Sequence, residues 1–214
     1  MKEYSVAMAL VDLVPVLFFG IGSVILQRDL YNKMSKGAFA LFAAGTINVF
    51  FAGFLKALYK LLYAANVCDF EALSAMFFPV QSLGFLLAGL GMLALLLHRQ
   101  GETIYAAAPA LFSGTFLFVG LMVAGLGCMD GALISISKKL GKKKTGILFA
   151  ITFFCCLSMG YLSSRDFDKA FMNWLAEGIN IIGQGAYLIG TIILHRAGLE
   201  KFDLKNNINK GETA

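Results

Sequence analysis

The sequence predicts an all-α integral membrane protein, a polytopic bundle of transmembrane helices. Three observations predict this class: 58% of the residues are hydrophobic, only 14% are charged, and the apolar residues form long runs between short charged loops. A helix needs roughly 20 apolar residues to cross the hydrocarbon core of a bilayer. The runs are Val6–Leu26, Gly37–Ala65, Ala72–Leu97, Thr103–Ser137, Thr145–Ser164 and Ala170–Leu194.

Residues 1–197 are predicted to form a single transmembrane domain. Val6–Leu26 is longer than the apolar region of a signal peptide, so we expect it to be the first permanent span. Ala72–Leu97 and Thr145–Ser164 contain no charged residue. Residues 198–214 are polar, and we expect them to be a disordered cytoplasmic tail. The spacing of Cys and His predicts neither a disulfide framework nor a metal site, and no cofactor is expected.

The basic residues predict the orientation, because short cytoplasmic loops of membrane proteins are enriched in Lys and Arg. With the N-terminus outside and the C-terminus cytoplasmic, 13 of the 18 Lys and Arg residues fall inside, including the cluster from Lys138 to Lys144. This arrangement requires Thr103–Ser137 to cross twice, which gives seven spans. The turn residues in Gly125–Gly131 lie too near the end of this run to leave a second full span after them. They therefore favour a single long span here and six spans in total. We prefer seven spans, in the plasma membrane.

An internal repeat is predicted from the matched ends of span 3 and the last span. With an offset of 97, Asp69-Phe70-Glu71 aligns with Asp166-Phe167-Asp168, and Leu97-His98-Arg99 aligns with Leu194-His195-Arg196. The alternative is convergence, since basic residues and glycine are common at helix ends. A duplicated unit, repeat A at about 6–101 and repeat B at about 115–198, needs one linking span, which gives 3+1+3.

The 3+1+3 layout resembles that of sugar-efflux (SWEET-type) transporters and of opsin-like proteins. The last span has no lysine to hold a retinal, and the chain contains no Pro-Gln dipeptide. The resemblance is therefore one of layout, and it identifies no family. With six spans the two halves would instead be inverted, as in many secondary transporters.

Polar side chains enter the last span along one face of the helix. They follow a 3-4-3-4 spacing, which brings them onto one stripe: Glu177, Asn180, Gln184, Tyr187 and Thr191. The stripe is either a seam of interhelical hydrogen bonds, flanked by glycines that let helices approach, or the wall of a cavity. Glu177 favours the cavity, because an ionisable group within a span costs roughly 2.5–3.5 kcal/mol.

Ionisable residues also enter the first two spans. Asp12 lies about two turns into span 1, and Lys56 and Lys60 are one turn apart in span 2. The lysines either extend to the membrane surface or pair with Asp12 and Glu177, which would give a neutral cluster. On the seven-span model these residues and Gln81 converge in the outer half of the membrane. Asp130 is either a helix-end residue or a second intramembrane acid.

The predicted function is a small-solute transporter or permease subunit. The expected binding residues are Asp12, Lys56, Lys60, Gln81, Glu177, Asn180, Gln184 and Tyr187. One alternative is a membrane-embedded sensor or receptor-like protein that binds a ligand in the same pocket. A second is an intramembrane lipid-processing enzyme, but no catalytic spacing occurs and we expect no enzyme activity. The expected partners are the lipid bilayer and a small polar solute or ion, with a second copy or partner subunit left open. The net charge is +5, but most of the basic residues lie in loops beside the spans, so the charge does not predict nucleic-acid binding.

Overall fold

A computed structural model of the chain describes residues 4–97, 115–162 and 170–202. Within these ranges the secondary structure is helical, without β-strands. The helices are α1 (Val6–Leu30), α2 (Lys36–Ala64), α3 (Ala72–Ala75), α4 (Phe77–Leu97), α5 (Thr115–Lys139), α6 (Thr145–Leu162) and α7 (Ala170–Arg196). Five helical segments of the described chain are long and apolar enough to cross a membrane, and α6 carries a shorter apolar stretch. The fold is that of a multi-pass membrane protein.

Local sequence explains where the helices begin and end. Ser5 caps the beginning of α1, where its side chain accepts a hydrogen bond from the backbone N–H of Met8. Ser35 caps the beginning of α2 in the same way, through the backbone N–H of Ala38. Pro79 lies in the first turn of α4, where the missing N–H is harmless, and the predicted span Ala72–Leu97 divides into α3 and α4 just before it. Gly141 terminates α5 with a φ of +72°, a conformation that favours glycine.

The six long helices pack as a ring. Each contacts two neighbours, in the order α1, α2, α4, α5, α6, α7 and back to α1. Large apolar side chains such as Leu17, Phe51, Ile147 and Ile182 are exposed on the outside of this ring. An exposed apolar belt of this kind is the surface that a bilayer covers. The lipid bilayer is therefore the partner that this surface fits.

The contacts of α1, α2 and α7 give their relative directions. Asp12 and Glu177, both near the beginning of their helices, contact Lys60 near the end of α2. Near the other end of the same two helices, Asp29 of α1 contacts His195 of α7. Helices α1 and α7 are therefore parallel, and α2 runs in the opposite direction.

The directions of the remaining helices follow from the close contacts of their glycines. Gly84 lies against Val49 and Gly91 lies against Phe42, so α4 runs opposite to α2. The contact pairs between α5 and α6 are Gly127 with Phe153 and Gly146 with Ile134, and those between α6 and α7 are Phe149 with Gly190 and Cys155 with Gly183. Helices α1, α4, α5 and α7 therefore run one way, and α2 and α6 run the other.

These directions define two faces of the bundle. We call the face where α1, α4, α5 and α7 begin the N face, and the opposite face the C face. Leu97, the end of α4, lies at the C face, whereas Thr115, the beginning of α5, lies at the N face. Residues 98–114, which connect them, lie outside the described residues. The region Gly125–Gly131 is not a turn, because α5 is continuous from Thr115 to Lys139.

The first residues after α7 are folded against the bundle. Gly198, with a φ of +86°, ends the helix, and Leu199 is fully buried. The Lys33 ammonium donates a hydrogen bond of 2.7 Å to the backbone oxygen of Phe202. Disorder was predicted from residue 198 onwards. That expectation fails for residues 198–202, because Leu199 completes the core, and residues 203–214 lie outside the described chain.

Candidate functional site

A cavity of about 270 Å³ lies inside the ring, in the half of the bundle next to the N face. Its lining comes from all six long helices and from Tyr4 and Ser74. The polar and charged side chains in it are Tyr4, Asp12, Lys56, Lys60, Ser74, Gln81, Asn173, Glu177, Asn180 and Gln184. The volume is just under the roughly 300–1,000 Å³ of sites for drug-sized ligands, so the cavity fits a small molecule.

Lys60 is the centre of a buried ion-pair cluster. Its ammonium lies 2.8 Å from Asp12 Oδ2 and donates a hydrogen bond of 2.8 Å to Glu177 Oε1. The three residues are only 5%, 7% and 4% exposed, so each charge is compensated mainly by its partners in the cluster. The predicted pairing of an acid with a span-2 lysine is therefore present at Lys60. Extension of Lys60 to the membrane surface is excluded, because its side chain is enclosed.

Lys56 contributes a second ammonium to the cavity, one helical turn from Lys60. Its Nζ lies 4.1 Å from the centre of the Phe77 ring, a cation–π contact. Among the described residues it has no carboxylate within ion-pair distance. Glu177 Oε2, on the carboxylate that Lys60 already contacts, is buried without a hydrogen-bond partner in the described chain. The cavity thus contains an ammonium group without a carboxylate partner in the described chain, that of Lys56, and a carboxylate oxygen without a hydrogen-bond partner there, Glu177 Oε2.

The polar stripe of α7 divides between the cavity and the packed interior. Asn180 and Gln184 line the cavity, and Gln184 Nε2 lies 3.8 Å from Cys156 Sγ. Tyr187 was predicted to bind the ligand, but it is fully buried below the lining, where its hydroxyl forms a 3.2 Å hydrogen bond with Ser23. Its ring stacks on Phe19 at 5.3 Å, so Tyr187 supports the cavity floor.

The floor separates the cavity from a solid core on the C-face side. Phe19 also packs edge-on against Phe85, with ring centres 6.0 Å apart, and Met122 completes the apolar lining at this level. Beyond it, buried side chains such as Leu26 and Phe42 fill the interior of the ring. In this structure the cavity therefore ends part-way through the bundle.

Seven of the eight predicted binding residues line the cavity, and the sequence analysis missed others. The aromatic lining (Phe19, Phe50, Phe77, Phe78 and Phe85) and Asn173 were not predicted. Asn173 precedes Glu177 by four residues, and His195 follows Thr191 by four, so both continue the same stripe. Extending the 3-4 spacing to both ends of the helix would have predicted Asn173 and His195.

At the C-face end of the stripe a second polar cluster joins α1 and α7. His195 Nδ1 lies 2.9 Å from Asp29 Oδ2, and Arg28 lies 3.1 Å from His195 Nε2. Asp29 is buried, whereas the Arg28 side chain is 63% exposed. This cluster fixes the ends of the two parallel helices to each other.

The two faces differ in charge. Outside the cavity, every Lys and Arg of the described chain lies at or beside the C face, namely Arg28, Lys33, Lys36, Lys138, Lys139, Lys142, Lys143, Lys144, Arg196 and Lys201. The charged residues described at the N face are Asp69 and Glu71. The basic loops of the described chain therefore converge on one side of the bundle.

Comparison of the chain with protein-family models, curated proteins and solved structures gave no match. In the described residues, no group of three or more His, Cys, Asp or Glu side chains is placed to hold a metal ion. Function is therefore inferred from the geometry and chemistry of the cavity.

Proposed function

We propose that the protein is a small-solute transporter, or the permease subunit of one, and that its solute binds in the cavity next to the N face. The observation that supports this most strongly is the cluster of four ionisable side chains inside the ring: Asp12, Lys56, Lys60 and Glu177. Burying charges in a membrane protein is costly, and they commonly line solute or ion paths. A purely structural role would not need an open volume beside them.

The charge pattern supports a zwitterionic solute. With all four groups ionised, the two carboxylates and the two ammonium groups cancel, and a solute with a net charge would leave an uncompensated charge in a site of low dielectric constant. A solute carboxylate can pair with Lys56, and a solute ammonium can pair with Glu177 Oε2. The aromatic lining gives an apolar surface for the rest of the molecule. A small amino acid has this combination of groups and fits about 270 Å³.

We further propose seven spans with the N face outside. The parallel directions of α4 and α5 require the chain between Leu97 and Thr115 to return across the bundle. Seventeen residues, 98–114, connect these two ends, and their apolar part begins at Thr103. Two triplets, α1-α2-α4 and α5-α6-α7, would then be joined by one linking span, in support of the 3+1+3 repeat. The basic C face would be cytoplasmic.

Ligand-dependent thermal stability tests the proposed binding site. The purified protein is heated in detergent with each of the twenty amino acids in turn, and with the matching amine and carboxylic acid that each lack one charge. We expect at least one amino acid to raise the melting temperature, and its single-charge analogues to have little effect. Lys56→Met should abolish the stabilisation without unfolding the protein. If a neutral sugar stabilised the protein instead, the solute would not be a zwitterion. If no compound stabilised it, the cavity would lose its support as a binding site.

A further inference from the structure

Asp130 is a buried acid that the cavity does not use. It lies on α5, two helical turns and about 12 Å beyond the cavity-lining Met122. Its side chain is 1% exposed, and neither carboxylate oxygen has a hydrogen-bond partner in the described chain. Asp130 therefore differs from Asp12, Glu177 and Asp29, which all contact a basic side chain.

An ionised carboxylate cannot remain in such a position. Transferring an unpaired charge from water into the protein interior costs far more free energy than the burial of one apolar span can offset. The carboxyl group therefore either takes up a proton or binds a cation. Among the described residues, the two helices packed against α5 offer no charge to compensate it. Helix α4 has no ionisable residue, and those of α6 are the thiols of Cys155 and Cys156 and the exposed Tyr161. On α7, Tyr187 is buried and its hydroxyl forms a hydrogen bond with Ser23.

A proton fits the surroundings better than a metal ion. A hard cation requires about six oxygen ligands, whereas neither Asp130 oxygen has a polar partner in the described chain and no group of three or more His, Cys, Asp or Glu side chains surrounds it there. A proton needs no coordination shell. It converts the carboxylate into a neutral acid that an apolar interior tolerates.

The position of Asp130 suggests what the proton does. Towards the N face, Gln184 Nε2 lies 3.8 Å from Cys156 Sγ, and Gln184 Oε1 is buried without a partner in the described residues. Towards the C face, the Thr191 hydroxyl is likewise buried and unpartnered there, and His195 and Asp29 follow one turn on. Polar groups thus extend on both sides of Asp130, from the cavity to the C face.

We propose that Asp130 is a proton-binding site that couples solute movement to proton movement. A proton from water on the cavity side would bind the carboxylate, and it would be released from the resulting acid towards the C face when the helices rearrange. This coupling rests on the transport function proposed above. The protonated carboxyl itself does not depend on any solute.

Infrared spectroscopy of the protein in lipid tests the protonated state directly. At neutral pH we expect the C=O stretch of a protonated carboxyl, and we expect it to disappear in Asp130→Asn. Cys128→Ser, two residues away on the same helix, should keep it. Labelling aspartate with ¹³C at the side-chain carboxyl should shift the band in the unmutated protein, which keeps the test valid even if Asp130→Asn misfolds. A neutral-pH spectrum without an aspartate-derived band would overturn the proposal.

Proton flux then tests the coupling. Proteoliposomes containing a trapped pH-sensitive dye are given a mixture of ¹⁴C-labelled amino acids. We expect uptake of label together with a change of internal pH, and in Asp130→Asn we expect exchange of label across the membrane without the pH change. Uptake that moves no protons would overturn the coupling while leaving the transport function intact. Absence of any uptake would overturn the transport function, and the coupling with it.

Discussion

Lys60 is the residue on which the charged site most depends. It is the only basic residue of the described chain that contacts two buried carboxylates, and Lys56, one turn away, contacts an aromatic ring instead. The two lysines therefore form a natural pair for comparison. They share a helix and a side-chain type, they lie one turn apart, and they differ in the partner that each one has.

We expect Lys60→Met to destabilise the protein by about 3–5 kcal/mol, because it leaves the Asp12 and Glu177 carboxylates buried without a cation. Adding Glu177→Gln should recover part of that loss, since it removes one of the stranded charges. Denaturation of the reconstituted protein, analysed as a double-mutant cycle, measures both effects. Lys56→Met is the control. A simple sum of the two single losses would show that Lys60 and Glu177 do not interact.

At the scale of the helix, α7 presents polar side chains to the interior over its whole length and apolar ones such as Ile182 to the outside. Single cysteines along it distinguish cavity, packing and lipid surface. In a background without the four native cysteines, we expect Asn180→Cys and Gln184→Cys to react with a small water-soluble thiol reagent. Tyr187→Cys and Ile182→Cys should not react, because one is packed and the other faces lipid. Uniform reactivity of all four would contradict the cavity boundaries.

Helices α4 and α5 pack backbone to backbone at Gly89 and Gly125. A Cβ atom at Gly125 would overlap the backbone of Phe85 and Leu86, whereas nothing lies within 4 Å of a Cβ at Gly131 on the same helix. We expect Gly125→Ala to destabilise the protein by about 1–3 kcal/mol or more, because the helix backbones must move apart. Gly131→Ala should be close to neutral. Equal thermal stabilities of the two variants would mean that this close approach is not required.

The sequence predicted the helices well and their assembly only in part. Length and hydropathy identify a span almost without reference to its neighbours, so α1, α2 and α7 begin within a residue of the predicted runs. The pairing of Lys60 rather than Lys56 depends on how α2 is rotated in the ring, and no local pattern contains that rotation. Tyr187 was predicted to bind the ligand because the sequence likewise does not show which neighbouring helix covers it. Its position on the stripe is correct, but Phe19 of another helix covers it.

At the scale of the molecule, the separation of charge between the faces predicts the orientation. Cys68 is exposed in the loop between α2 and α3 at the N face, and Lys142 lies in the basic loop at the C face. We expect an impermeant thiol reagent to label Cys68 on intact cells. In a Cys68→Ser background, Lys142→Cys should be labelled only after the membrane is opened. Labelling of Lys142→Cys on intact cells would reverse the orientation, and labelling of both residues would contradict the seven-span topology.

We propose that the charged cavity binds a solute and that the protein moves this solute across the membrane. Uptake of a ¹⁴C-labelled amino-acid mixture into proteoliposomes measures this function, with protein-free vesicles and Lys56→Met as controls. We expect time-dependent accumulation of label by the unmodified protein and a loss of at least tenfold in Lys56→Met, whose thermal stability should stay near normal. Binding without uptake would indicate a sensor. Uptake that Lys56→Met leaves unchanged would contradict the assignment of the cavity as the solute site.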